Sequence, residues 1–430
     1  MLHFQSNQNE NALPHLENHN LTSGHLGTDR PSLGTARADT ELPHLCPAGH
    51  VLVVTAYYPP TPGGSSIIMR NLLSRFHPTS YSVVTGRRSV RQAIEVAHDV
   101  QVYRIMSSVH RLSHRFDSLW LDWQLTSAVS RLVDLIERVK PDVMVGVYPS
   151  FHFLKIAREA ARMTRVPWVA YLHDTIAESL SNTRWAAKAA ELQEQVFAEA
   201  AAILVMSQGM ADLYKKKYSL SCQPLEHTYP EPIPTRLPQA PAPRQAFWGG
   251  DIYNINAQSV GRVSEALRRT HCPFLIATKM TLKDLNNRGL RGGHIKTRFY
   301  PKRMAYLRAL RQQGLLVLAL DWPDESPTHQ DELATIFPTK TPEYLVTGRP
   351  ILVHCPASYF LARFFREHHC GLVVTERSVE ALEEAVRQLL EDSPKASALG
   401  WSALAATQLF RADRLAQRFQ ITLQTAAASL

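Results

Sequence analysis

The sequence predicts an α/β protein whose two domains are each built on a doubly wound parallel sheet. Short apolar runs alternate with segments of helical period on both sides of a stretch that holds seven prolines, Pro224 to Pro243. Such alternation is typical of parallel sheets that carry helices on both faces. The length of 430 residues also exceeds what one hydrophobic core usually supports, so two domains are expected.

The first domain is predicted to begin after a polar leader. Residues 1–46 show no apolar period and are predicted to be disordered. Val51–Val54 is then a continuous apolar run, as expected of a strand buried on both faces. The prolines and glycines of residues 59–64 predict a turn, after which Ser65 or Ser66 is expected to cap a helix.

Further strands and helices are predicted in both halves. Helices are expected around residues 129–136, 154–163, 187–200, 260–267 and 304–310, and Ser207 is expected to cap another. The remaining predicted strands are Val143–Val147, Trp168–Leu172, Ile203–Met206, Ala246–Trp248, Pro273–Ala277, Thr297–Tyr300, Leu315–Leu320, Ile351–Val353 and Gly371–Val374. The predicted domains are therefore 47–223 and 245–398, joined by a proline-rich linker, 224–244, and followed by a helical segment, 399–430. Two such Rossmann-like halves leave a cleft at the carboxyl ends of their strands, where ligands bind.

The segment from Phe337 to Val353 is the most informative for function. Lys340 and Glu343 stand three residues apart at the start of a predicted short helix, and Gly348 ends that helix before the next strand. A lysine suits a diphosphate, and a carboxylate suits the vicinal hydroxyls of a ribose, because charge-assisted hydrogen bonds are the stronger ones. The alternative is an ordinary helix, glycine stop and strand, as in many α/β proteins.

Two pairs of residues in the first half are predicted to face the same cleft. Gly63 and Gly64 would let a phosphate approach the backbone at the start of a helix, although a glycine pair also suits any tight turn. His173 and Asp174 follow a predicted strand directly, so their side chains are expected at its carboxyl end. A histidine bonded to a neighbouring carbonyl is the alternative.

With this order of elements the chain resembles the GT-B glycosyltransferases, most closely the retaining family 4 type. The resemblance rests on five segments: Val53–Pro60 with Gly63-Gly64, Lys140–Val143, Val166-Pro167 with Leu172–Asp174, Ala201–Ser207, and Lys340–Val353. It implies a GT-B fold, in which two Rossmann-like domains face each other across a cleft. It also implies transfer of a sugar from a nucleotide-diphosphate donor with retention of configuration, and no cofactor.

The resemblance assigns roles to individual residues. His173 would lie close to the transferred sugar, Lys340 at the leaving diphosphate and Glu343 at the ribose. The predicted catalytic residues are His173, Asp174 and Lys340. The predicted donor-binding residues are Gly63, Gly64, Lys279, Lys340, Thr341 and Glu343. No metal ligand is predicted, and the sequence contains no Asp-x-Asp pair of the kind that metal-dependent GT-A enzymes use.

Two departures from the family pattern keep other functions open. A second glutamate usually precedes the one at Glu343 by eight positions, where this chain has Thr335, with Glu332 three residues out of register. An arginine and a lysine usually follow the glycine that opens the second domain, but none follows Gly249-Gly250, and Lys279 is the predicted substitute. A nucleotide-sugar-binding protein without transferase activity and a nucleotide-sugar epimerase therefore remain alternatives.

Composition narrows the class of partner and the compartment. The chain has 47 Lys and Arg against 38 Asp and Glu, a net charge of +9, which favours an anionic partner but carries no nucleic-acid-binding signature. The acceptor could be a glycan, a lipid-linked sugar or a small molecule. Five scattered cysteines and the lack of a signal peptide or membrane span predict a cytoplasmic protein. A segment of basic and aromatic residues predicts either contact with an anionic membrane or polysaccharide, or a solvated face: Arg87, Arg88, Arg91, Arg104, Arg111, Arg115, Leu119, Trp120 and Trp123.

Overall fold

The computed structural model describes residues 45, 47, 49–59, 63–87, 94–97, 100–107, 118–181, 183–238 and 243–429. Of the predicted disordered leader, residues 1–46, this set includes only Leu45, which is joined to Phe76 by a parallel β-bridge. Residues from His44 onward belong to one compact unit that contains two parallel sheets.

The first sheet has eight strands within the described residues. They are β1 (Val51–Val54), β2 (Tyr81–Arg87), β3 (Ile94–Ala97), β4 (Val100–Ser107), β5 (Val143–Tyr148), β6 (Trp168–Leu172), β7 (Ala202–Val205) and β8 (Gln223–Pro224). Its helices are α1 (Gly64–Leu73), α2 (Ser118–Val139), α3 (Phe151–Thr164), α4 (Ala177–Leu180), α5 (Ala186–Glu199) and α6 (Gln208–Tyr218). The strand order is β3-β4-β2-β1-β5-β6-β7-β8, and only the edge strand β3 is antiparallel to its neighbour.

The second sheet has six strands within the described residues, all parallel. They are β9 (Ala246–Gly249), β10 (Phe274–Ala277), β11 (Ile295–Thr297), β12 (Leu315–Ala319), β13 (Ile351–His354) and β14 (Leu372–Val374), in the order β11-β10-β9-β12-β13-β14. The helices that follow the linker are α7 (Ala257–Arg269), α8 (Leu282–Asn286), α9 (Arg303–Arg311), α10 (Gln330–Thr335), α11 (Thr341–Leu345), α12 (Phe360–Glu367), α13 (Val379–Glu391), α14 (Ser393–Thr407) and α15 (Ala412–Ala427). The predicted fold class, two doubly wound parallel-sheet domains, is confirmed.

Both sheets reverse their strand order at their first strand. β1 pairs with β2 on one side and β5 on the other, and β9 pairs with β10 and β12 in the same way. Ligands of doubly wound sheets bind at such reversals, beyond the carboxyl ends of the strands. Gly63, in the loop after β1, and Gly249-Gly250, at the end of β9, are therefore placed where a ligand is expected.

Helix α15 returns to the first half of the molecule. Leu415, Phe419 and Leu423 belong to the hydrophobic core of the first sheet, and the Phe419 ring packs edge-on against Phe76 with 5.9 Å between ring centres. The chain thus crosses between the halves twice. The two crossings touch, because the Tyr229 N–H donates to the Phe410 carbonyl at 2.7 Å and the Ala412 N–H donates to the Tyr229 carbonyl at 3.2 Å.

Several local predictions differ from the structure. Helix α1 begins at Gly64 with Gly63 as its N-cap residue, so the predicted cap at Ser65 or Ser66 is wrong. The strand predicted at Thr297–Tyr300 is instead Ile295–Thr297, and β2 and β4 were not predicted at all. The cap at Ser207 is confirmed, since its hydroxyl accepts the Met210 N–H at 3.1 Å.

The predicted basic and aromatic segment is described only in part. Arg104 is 4% exposed and donates to the Gly86 carbonyl at 2.9 Å, so its inclusion in a basic surface was wrong. Trp123 is 65% exposed. The other members, Arg88, Arg91, Arg111 and Arg115 and the side chains of Arg87, Leu119 and Trp120, lie outside the described residues. None of the helices in the described parts of the chain is long and apolar enough to span a membrane.

Candidate functional site

A cavity of about 660 Å³ lies between the two halves. Gly63, Ser66 and Arg70 contribute to its wall from the loop after β1 and from helix α1. The second half contributes the loops after β9, β10, β11 and β12 and the start of α11, so the carboxyl ends of both sheets face the cavity. A volume of this size is in the range of cofactor and substrate sites, roughly 300–1,000 Å³.

Lys340 lines this cavity just before helix α11. Its Nζ donates to the Gly249 carbonyl at 2.8 Å and lies 3.3 Å from the centre of the Trp248 ring. Within the described residues no carboxylate pairs with this amine. Burial lowers the pKa of Lys340 well below its ordinary value, because the charged amine has lost water without gaining an opposite charge. An anionic ligand in the cavity would supply that charge.

Glu343 lines the same cavity and is held by an arginine. The guanidinium of Arg303, at the start of α9, donates to Oε1 of Glu343 and also to both carboxylate oxygens of Glu231, at 2.7 and 3.1 Å. Burial raises the pKa of Glu343, and the charge of Arg303 opposes that increase. No described residue donates to Oε2 of Glu343, so this oxygen can still accept hydrogen bonds from a ligand.

The first half presents the start of a helix to the cavity. Gly63 has a φ of 140°, a backbone conformation that favours glycine, and no side chain caps the helix that follows. The unpaired N–H groups and the positive dipole end at the start of α1 favour an anion at this wall. Gly64 does not line the cavity itself. A Cβ on Gly64 would come within 3.1 Å of the Thr339 side chain, which does line it.

Lys279 also lines the cavity, from the loop after β10. Its Nζ lies 4.9 Å from the ring centre of Phe299, which is 50% exposed. A lysine over an aromatic face gains a modest cation–π interaction, of about 0.5–1 kcal/mol at exposed sites. A phosphate could therefore recruit this amine with little loss.

His173, Asp174 and Thr341 do not line the cavity. Both ring nitrogens of His173 are buried without a hydrogen-bond partner among the described residues. Burial, and then the nearby His227, lowers the pKa of His173 to about 3, so the ring is neutral at pH 7. Burial raises the pKa of Asp174 to about 6, and Thr341 is fully buried with an unpaired hydroxyl.

Asp174 nevertheless lies close to the cavity wall. Burial is the main cause that raises the pKa of Tyr253, and the Asp174 carboxylate is the next. Tyr253 lines the cavity and is 49% exposed. The structure thus brings Gly63, Lys279, Lys340 and Glu343 together in one cavity and leaves His173, Asp174 and Thr341 outside it.

Comparisons with known proteins support the same fold. Residues 44–219 match the model of the glycosyl transferase 4-like domain. The match covers less than half of the chain. No curated protein matches the chain in sequence.

Solved structures resemble the chain over most of its length. Sucrose-phosphate synthase from Thermosynechococcus elongatus shares 14% identity at a TM-score of 0.64, with 88% of this chain and 99% of that one covered. HepE from Anabaena, solved with UDP and glucose, shares 16% at 0.63, with 89% and 100% covered. WaaG, a glycosyltransferase involved in lipopolysaccharide biosynthesis, shares 15% at 0.58, with 87% and 99% covered. At these identities the likeness shows the fold, and the predicted GT-B fold is confirmed.

Thr335 occupies the position at which the family pattern has a second glutamate. The Thr335 hydroxyl donates to the Glu332 carbonyl at 2.9 Å, and the Thr335 carbonyl accepts from the Ser207 hydroxyl at 3.0 Å. The Glu332 carboxylate accepts the N–H of Thr175 at 3.1 Å and also its hydroxyl. Glu332 therefore binds the first half of the molecule and does not line the cavity, so it does not replace the glutamate that Thr335 lacks.

Arg70, Trp248, Tyr253 and Arg303 are among the cavity residues that sequence reasoning missed. The helical period that follows Gly63-Gly64 could have indicated Arg70, because Ser66, Ile67 and Arg70 fall on one face of α1. Arg303 had no such signal, since its partners Glu231 and Glu343 are distant in sequence.

Proposed function

We propose that the protein transfers a sugar from a nucleoside-diphosphate donor to a glycan, lipid-linked or small-molecule acceptor, with retention of configuration and without a metal ion. The observation that carries this proposal is the presence of Lys340 and Glu343 in one cavity, opposite the uncapped start of α1. Cation, carboxylate and helix start are the groups that a diphosphate joined to a ribose requires.

The donor can be placed by its charges and hydroxyls. Oε2 of Glu343 would accept hydrogen bonds from the ribose, while the charge of Arg303 opposes protonation of the carboxylate. Lys340 and Lys279 would contact the diphosphate, next to the backbone of Gly63. The HepE structures were solved with UDP and with UDP-glucose, which supports UDP-sugars as the first donors to test.

The chemistry would depend on stabilising the departing diphosphate. Negative charge grows on the leaving group as its bond to the sugar breaks, and fixed cations and N–H groups in a site that excludes water stabilise it strongly. Retention and independence of a metal rest on the family resemblance. His173 and Asp174 are proposed near the transferred sugar, and because His173 is buried, a closing or rearrangement of the cleft must accompany that contact.

One observation favours a second candidate function, nucleotide-sugar binding without turnover. Glu332 binds Thr175 of the first half, and Thr335 carries no carboxylate. The cavity therefore lacks the second glutamate that related enzymes carry. The position after Gly249-Gly250 also lacks its basic pair. Binding of the donor would survive these differences better than stabilisation of a transition state, because catalysis depends on interactions that strengthen as the bond breaks.

Thermal unfolding with a panel of nucleoside diphosphates and nucleotide sugars tests the proposal. One ligand at about 100 times its Kd should stabilise the wild type by roughly 2.7 kcal/mol. Glu343→Ala should weaken that ligand about 10- to 100-fold, because a charge-assisted hydrogen bond is lost. Arg303 keeps Glu231 as its partner in this variant, so no buried charge is left alone. Glu384→Ala is the matched control, because Glu384 is exposed on α13 and bonds only to Gln388.

Release of nucleoside diphosphate then separates the functions. Release that depends on an added acceptor supports a transferase. Binding with no release across the acceptors tested supports the binding protein, and conversion of the donor with no acceptor present supports an epimerase. Absence of any nucleotide binding by the wild type would contradict all three.

A further inference from the structure

Four basic side chains line the cavity among the described residues: Arg70, Lys279, Arg303 and Lys340. Three of them already have contacts. Arg303 is held between two carboxylates, Lys340 lies on the Trp248 ring and the Gly249 carbonyl, and Lys279 lies over Phe299.

Arg70 differs from these three. It is exposed, and the one described group that accepts from its guanidinium is the side-chain oxygen of Asn71, its neighbour in α1, at 3.2 and 3.4 Å. No carboxylate of the described residues forms an ion pair with it. A ligand in the cavity could engage all of its outward donors without breaking an existing salt bridge.

The part of the wall that α1 contributes offers donors and no acid. Ser66 lies one turn before Arg70, is 2% exposed, lines the cavity, and its hydroxyl has no hydrogen-bond partner among the described residues. The start of α1, capped by no side chain, adds backbone N–H groups. A guanidinium, a hydroxyl and backbone N–H groups on one helix form a site for an anion with several oxygens.

Arg70 also faces the part of the cavity where the nucleotide is proposed to bind. The charge of Arg70 lowers the pKa of Glu343. This effect is smaller than that of burial, which raises the pKa, and smaller than that of Arg303. Glu343 is the proposed ribose ligand, and the phosphates of a nucleotide are attached to the ribose. An arginine that reaches toward Glu343 therefore reaches toward the first phosphates of the donor.

We propose that Arg70 and Ser66, with the start of α1, bind the diphosphate of the nucleotide donor from the first half of the molecule. Arg70 would thereby supply a cation that the second half lacks after Gly249-Gly250. This inference rests on the proposed function, because it assumes a nucleotide at Glu343. It differs from the family resemblance, which placed the donor's cations on the second domain.

Calorimetric titration with a nucleoside, its monophosphate and its diphosphate tests the assignment. Arg70→Gln should weaken the diphosphate about 10- to 100-fold and leave the nucleoside unchanged, because only phosphate oxygens bond to the guanidinium. Arg70→Lys should recover part of the loss, since it keeps the charge but not the planar fork. Arg138→Gln is the matched control. Arg138 is exposed on α2, bonds to the Asp134 carbonyl and does not line the cavity.

The outcomes are distinguishable from those of the proposed function. Unchanged affinity of Arg70→Gln for the diphosphate would overturn this inference while leaving the proposed function intact. An equal loss for the nucleoside would also overturn it, because Arg70 would then shape the cavity and not bind phosphate. If the wild type binds a sugar phosphate through Arg70 but no nucleotide, both the inference and the proposed function are wrong. Arg70 is exposed, so its variants should unfold within about 0.5 kcal/mol of the wild type.

Discussion

Lys340 and Glu343 stand three residues apart yet have opposite electrostatic surroundings. The Lys340 amine has an aromatic ring and a carbonyl as neighbours and no carboxylate partner among the described residues. The Glu343 carboxylate has an arginine that is itself shared with Glu231. A buried amine without an opposite charge destabilises the ligand-free protein, and an anionic ligand removes that cost. An anionic ligand would therefore supply the opposite charge that Lys340 lacks.

We expect Lys340→Met to change ligand-free stability and donor affinity in opposite directions. The variant should unfold at a higher temperature without ligand, because the desolvated amine is gone. It should bind the nucleoside diphosphate more weakly, by roughly 1.5–3 kcal/mol, because a charged hydrogen bond is lost. Thermal unfolding and titration on one preparation measure both. Lys283→Met, at an exposed position on α8, should change neither.

Lys340 should also make the affinity for the donor depend on pH. The pKa of Lys340 is lowered in the free protein, and a bound diphosphate would raise it, so binding takes up a proton between the two pKa values. In that range the wild-type affinity should fall as pH rises, by up to about tenfold per pH unit, and Lys340→Met should lose this slope. An identical slope in both proteins would show that another group takes up the proton.

Part of the site could be predicted from single residues. Gly63, Lys279, Lys340 and Glu343 share the cavity because all lie near the carboxyl ends of parallel strands, which a sequence pattern can locate. Arg303 could not be predicted, because its role depends on two carboxylates that only the fold brings together.

The turn between α11 and β13 shows how one element constrains its neighbour. Gly348 has a φ of 63°, and a Cβ at this position would come within 2.7 Å of the Leu237 side chain. A Cβ on Gly400 of α14 would come within 2.3 Å of the Gly348 carbonyl, so α14 packs directly on this turn. The turn, the linker residue Leu237 and α14 therefore fix the end of the segment that carries Lys340 and Glu343.

Gly348→Ala and Gly261→Ala should have opposite effects on stability. The alanine at 348 combines a left-handed backbone with a close contact and should destabilise by about 1–3 kcal/mol. Gly261 lies within α7 with open space around its Cβ position, so alanine there should stabilise by roughly 0.5–1 kcal/mol. Urea unfolding of both variants measures the difference. A stable Gly348→Ala protein would show that Leu237 and α14 can move aside.

Strands could be predicted from the sequence where their apolar runs were unbroken. Trp168–Leu172 is a strand with the predicted bounds, because five buried apolar or aromatic residues in a row leave little ambiguity. β2 was missed because Ser82, Thr85 and Gly86 interrupt its apolar residues, although Ser82 and Thr85 are each 1% exposed. Buried polar residues in a central strand conceal it from an argument based on apolar runs.

At the scale of the whole molecule, two acidic side chains, Glu332 and Asp174, lie close together where the two halves touch. Glu332 accepts two hydrogen bonds from Thr175 of the first half, and burial followed by the charge of Asp174 raises its pKa to about 8. Burial raises the pKa of Asp174 to about 6. Lys217 bridges Glu178 and Asp331 nearby, at 2.9 Å each. This contact region contains two acids that hold protons more tightly when folded.

The raised pKa values predict how stability changes with pH. A carboxyl group with a raised pKa in the folded state stabilises most at low pH, and this contribution is lost as pH rises through the folded pKa. The wild type should therefore lose stability between about pH 5 and pH 8 through this pair. Glu332→Gln keeps an acceptor for Thr175 and removes the charge, so it should be more stable than the wild type at pH 8, by on the order of 1–2 kcal/mol.

Melting temperatures at pH 5 and pH 8 measure this difference. Glu384→Gln, at an exposed position, should follow the wild type at both values. If Glu332→Gln loses as much stability as the wild type between pH 5 and pH 8, another group causes the loss.

The bridge between Tyr229 and Arg411 makes the second half of the molecule an insertion within the first. The two connecting segments meet at this bridge, where the Tyr229 N–H donates to the Phe410 carbonyl and the Ala412 N–H donates to the Tyr229 carbonyl. If one half rotates about this bridge, both connections keep their present length. If one half slides past the other, one connection is stretched and the bridge breaks. We therefore expect the cavity to open and close by rotation of the two halves about these neighbouring connections.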